Sequence, residues 1–91
     1  MADLDLPEDV IQAQRAYDAA DARVQELAAA LPASVTVVNG EAAFDEQAMA
    51  DLIEARSERM RMLEALRDLP WWGTVPSKLD ANRQLRSAAR G

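Results

Sequence analysis

Histidine and cysteine are both missing from the 91 residues, so the chain has no imidazole base, no thiolate nucleophile and no zinc site of the usual kind. The three glycines stand apart at 40, 73 and 91, which excludes a glycine-rich phosphate loop. Aromatic residues number only four, Tyr17, Phe44, Trp71 and Trp72. The longest uncharged stretch, Ala28 to Gly40, is interrupted by Pro32 and too short for a membrane span. An acidic start from Met1 to Asp9 has neither the basic nor the apolar region of a secretory signal. These absences point to a protein that is not an enzyme, takes no cofactor, engages no membrane and resides in the cytoplasm or in a virion.

What is present favours helices. Alanine supplies 19 residues, and arginine outnumbers lysine nine to one. The formal net charge is -6, but it is unevenly spread. Residues 1 to 75 carry six basic and fifteen acidic groups, net -9, and residues 76 to 91 carry four basic and one acidic, net +3. A chain of this length buries only about 60 to 65% of its unfolded surface, so a partner chain is a natural source of further burial.

The first predicted helix spans 7 to 31. Pro7 suits its first turn, Glu8 and Asp9 complement the positive end of its dipole, and Pro32 stops it. Val10, Ala13, Tyr17, Ala20, Val24, Leu27 and Leu31 recur at alternating steps of three and four, an unbroken a/d seam. The second predicted helix spans 45 to 69, with Asp45 as N-cap, Phe44 and Met49 as a hydrophobic staple and Pro70 as the stop. Both arms would be about 36 Å long, the match an antiparallel hairpin needs. Ala48, Met49, Leu52, Ile53, Ala55, Met60, Met62, Leu63, Leu66 and Leu69 cover an arc of about 200° on the second helix, more than one neighbouring helix can bury.

Between the arms, residues 32 to 44 read as a short β-hairpin or extended tip: Val35-Thr36-Val37-Val38 is β-branched and runs into Asn39-Gly40, a tight-turn dipeptide. A connector over 70 to 76 holds both tryptophans, and Ser77-Lys78-Leu79-Asp80 is a capping box opening a short basic helix or tail over 77 to 91. The expected fold is therefore mainly α: an antiparallel two-helix hairpin domain over 1 to 75, with the tip at one end and the small C-terminal helix behind the tryptophans.

Several groups of side chains invite a functional reading. Pairing the arms about the tip sets Arg56 opposite Asp21, Arg59 opposite Asp18, and Arg67 opposite Asp9 or Val10, as structural ion pairs or as arginines that snorkel at the edge of the seam. Trp71 and Trp72 either cap the open end of the hairpin near Leu6 and Val10 or leave one indole as an exposed anchor for another protein. Arg83, Arg86 and Arg90 follow three-four spacing on the last helix. Beside a body of net -9, and with no aromatic interleaved, they suit an acidic protein surface better than nucleic acid. Glu54 with Glu58, and Glu64 with Asp68, have i, i+4 spacing, yet without histidine they read as solvated helix faces, not as a metal site.

The resulting expectation is a non-enzymatic protein–protein interaction or assembly module, a homo-oligomer or a subunit of a larger assembly. Its partner-binding residues would be Met60, Leu63, Leu66, Trp71, Trp72, Arg83, Arg86 and Arg90. The order helix, tip, helix, basic tail is similar to that of small head-to-tail joining proteins of tailed phages, a resemblance of architecture carried by no residue motif. A second reading is a small acidic regulator that presents Asp51, Glu54, Glu58 and Glu64 where a nucleic-acid-binding enzyme expects phosphates. A folded accessory domain of an enzyme complex is a third.

Overall fold

Proline and capping side chains set the helix limits. In a computed structural model, which describes residues 5–31, 40 and 45–90, helix α1 covers Glu8–Ala30, α2 covers Glu46–Arg67 and α3 covers Lys78–Arg90. The carbonyl of Pro7 accepts from the amides of Val10 and Ile11, both at 3.1 Å. At the other end of α1, Leu31 is already extended, as a residue before proline tends to be. The Asp45 carboxylate accepts from the Ala48 amide at 3.0 Å, and the Ser77 hydroxyl from the Asp80 amide at 3.3 Å, so α2 and α3 both start on side-chain caps. Between them, Pro70–Gly73 forms one turn of 3-10 helix.

No strand occurs among the described residues. Apart from Gly40 and the tip's border, the expected β-hairpin tip lies outside them. Gly40 has φ 76, the left-handed conformation that favours glycine.

The α1 seam packs against α2 along its length. Toward the tip, Val24, Leu52 and Ala55 form one buried cluster, flanked by Leu27, Leu31 and Met49. Toward the open end, Val10 and Leu66 form a second, and there Leu85 of α3 joins them, with Leu6, Ile11, Ala13, Leu69, Trp71 and Trp72 around it. Each fully buried Val or Leu contributes about 1.5–3 kcal/mol relative to exposure. With Leu85 and Ala81 both at 0% exposure, the C-terminal helix belongs to the same core as the hairpin and docks on its own chain.

The direction of α3 follows from its contacts. Leu85 sits with Val10, and Ala89 accepts from the Arg15 guanidinium at 3.2 Å, so α3 advances in the same sense as α1. At 13 residues it is about 20 Å long, against about 34 Å for α1. The open-end half of the molecule is thus a three-helix layer, and the tip half is a two-helix layer.

Candidate interaction surface

Helix α2 carries two adjacent seams of three-four spacing. One, through Leu52, Ala55, Arg59 and Leu66, turns toward α1 and is buried or half-buried. The other runs Met49, Ile53, Arg56, Met60, Leu63, Arg67 and lies about 100° further round the helix. Its lower end, at Leu63 and Arg67, faces α3 across a cleft, while in its upper part Ile53 is 56% exposed and Met60 54%. Both are large apolar side chains placed where α3 no longer reaches.

At the open end, the walls formed by α2 and α3 above α1 enclose a cleft of about 520 Å³. Gln14 and Tyr17 come from α1, Leu63, Leu66 and Arg67 from α2, Trp72 from the connector, and Lys78, Asn82 and Arg86 from α3. The α3 residues follow i, i+4, i+8 spacing and so share one face. Among the described residues, three cations and no carboxylate line this cleft. Beneath them Gln14 is 3% exposed and donates to Asp18 at 2.8 Å, which satisfies a polar group that would otherwise be costly to bury.

The predicted partner-binding residues are divided by the structure. Leu66 is 4% exposed and is core, because the docked α3 covers it through Leu85; as a surface residue it is a correction. Met60 is exposed, while Leu63 is half-buried on the cleft wall. The indoles are half-buried and held edge-to-face, their centroids 4.9 Å apart. Trp71 donates to the Asp5 carbonyl at 3.0 Å and Trp72 to the Leu66 carbonyl at 2.8 Å, so both close the open end of the hairpin. Nor do the three arginines of α3 act as one stripe: Arg86 lines the cleft, Arg83 stands 4.0 Å from Asp80, and Arg90 bonds back to the Arg86 carbonyl.

The ion pairs also require correction. Arg59 pairs with Asp21 at 3.0 Å, whereas Arg56 is exposed and Asp18 is engaged by Gln14. The backbone register is close to the predicted one, since Val10 clusters with Leu66 and Val24 with Leu52. What displaces the charges is side-chain direction. Every helical side chain leans toward its own N-terminus, so across an antiparallel pair Arg59 and Asp21 lean toward each other while Arg56 and Asp21 lean apart.

On the opposite flank, a smaller groove of about 310 Å³ is lined by Ala20, Arg23, Asp51, Glu54, Ala55, Glu58 and Arg61. Arg61 pairs with Glu58, and Asp51 accepts from Gln47, so the carboxylates of α2 are interleaved with donors there. Among the described residues no cluster of acidic groups is arranged to hold a metal, and no helix is long and apolar enough to cross a membrane.

Comparison with curated proteins and with solved structures gives no match. A family model does match, over residues 9–88, from the start of α1 to the end of α3 and through both surfaces just described: the chain belongs to a family described as a domain of unknown function, DUF8825.

Proposed function

We propose that this protein is a non-enzymatic assembly module that joins a second copy of itself, or another subunit of a complex, through the uncovered seam of α2. The observation that carries this reading is the exposure of Ile53 and Met60 at more than half their surface, on a stripe continuous with Met49 above and Leu63 below. A helix laid along that stripe would extend over the tip half the three-helix layer that α3 builds at the open end. Arg56, exposed on the same seam, would orient such a helix through a carboxylate at the rim.

The reading is tested by light scattering over a range of concentrations, on the native chain and on Ile53→Asp and Met60→Asp. Self-association that these changes abolish, with helicity retained by circular dichroism, supports it. A native chain that stays monomeric, and whose indole and methyl NMR spectra show no contact with any subunit encoded alongside it, overturns it. Leu66→Asp is unsuitable for this purpose, because it would place a charge in the buried core.

A further inference from the structure

The cleft at the open end shares Leu63 and Arg67 with the lower end of the α2 stripe, but its chemistry is opposite in sign to the rest of the chain. Within a protein of net charge -6, Arg67, Lys78 and Arg86 converge on one concavity with no acidic residue among the described residues of its lining. None of the three forms an ion pair among the described residues, although Arg59, Arg61 and Arg83 each have a carboxylate partner. Between and beneath them lie Tyr17, Leu63, Leu66 and Trp72, an apolar floor whose Trp72 ring is fixed by its bond to Leu66. Uncommitted cations around a rigid apolar floor complement a ligand that is anionic along one edge and apolar along the next.

We infer that this cleft is a docking site for an acidic amphipathic helix of a partner protein, whose carboxylates meet Arg67, Lys78 and Arg86 while an aliphatic or aromatic side chain rests on Trp72 and Leu63. The cleft is a groove open along one side between α2 and α3, the form in which a helix is taken up by its apolar face. Charge complementarity selects an acidic helix over a basic one. It also selects against nucleic acid. A duplex carries one charge per ~1.7 Å of its axis, so phosphates beyond the three cations would meet a chain that carries 16 acidic groups against 10 basic ones. On a helix, acidic residues are confined to the positions that face the cations.

The test titrates the full chain with three probes: a synthetic amphipathic helix bearing glutamate along one edge and leucine along the next, the same helix with lysine for glutamate, and a duplex oligonucleotide. The indole Nε1–H resonance of Trp72 is the readout. The acidic helix should shift that resonance, bind more weakly as salt is raised, and lose on the order of tenfold in affinity to the double substitution Lys78→Gln and Arg86→Gln. Both glutamine substitutions lie on exposed side chains, so the fold is kept, and a superimposable thermal melt verifies it. An acidic helix that leaves Trp72 unmoved, a lysine helix or duplex that binds as well, or a double variant that binds normally would each overturn the proposal. Self-association through Ile53 and Met60 is read out separately, so either surface can fail alone.

Discussion

Truncating Leu85 to alanine is the most direct probe of how α3 is joined to the hairpin. The side chain is 0% exposed and sits with Val10 and Leu66, so one residue ties three elements together. Removing three buried carbons forfeits about 2.4 kcal/mol of transfer free energy at ~0.8 kcal/mol each. The cavity left behind brings the total to about 3 kcal/mol, within the ~2–5 kcal/mol of such substitutions. A domain of this length has roughly 5–14 kcal/mol of stability in all, and 1 kcal/mol moves Tm by about 4–8 °C. Thermal melts followed by circular dichroism should therefore place Leu85→Ala about 12 to 24 °C below the native chain. Leu79→Ala, at a site 70% exposed on the same helix, supplies the contrast and should change stability by less than ~0.5 kcal/mol. If the two variants melt together, α3 is not part of the core and the account of the open end is wrong.

Three further outcomes follow from the same contacts. Asp45→Ala deletes the carboxylate that caps α2 and should cost about 1 kcal/mol in urea unfolding, with Asp45→Asn recovering most of it. For Arg59 and Asp21, whose side chains remain 35% and 32% exposed, solvent screening limits the pair; a double-mutant cycle should give about 0.5 kcal/mol, falling as salt is raised, and the cycle for Arg56 with Asp21 should give none. Trp72→Phe leaves the Leu66 carbonyl only its long 3.4 Å bond from the Leu69 amide and should destabilise by about 1 kcal/mol, more than Trp71→Phe, whose acceptor at Asp5 is exposed and can turn to water; denaturation midpoints of the two single variants measure the difference.

Helix limits were legible in the sequence wherever a residue acts locally. Pro7, Pro32 and Pro70 restrict their own neighbourhoods, Asp45 and Ser77 reach amides three residues on, and the α1 seam announces its burial by period alone. Legibility stopped where a side chain's neighbour comes from elsewhere in the chain. The wide apolar arc of α2 gave the need for more cover, but nothing in it distinguished Leu66, which packs beneath Leu85, from Met60, which stays 54% exposed. The cationic cleft was missed because its members come from three helices and a connector, although Lys78, Asn82 and Arg86 share a face of α3 at i, i+4, i+8 spacing. Gln14 escaped notice for a similar reason: a polar residue beside a seam reads as a surface residue until a third helix is laid over it. The charge pairing failed through treating side chains as radial spokes when they slant.

The placement of Leu85 also sets a timetable. Synthesis delivers α1 and α2 before the residue that seals them, so the nascent hairpin waits with Val10 and Leu66 wet and its tryptophans only half supported. Because α3 follows both arms in the chain, it acts as a latch, and a chain interrupted before it would be left with its sticky end ajar, a ready target for chaperone or protease.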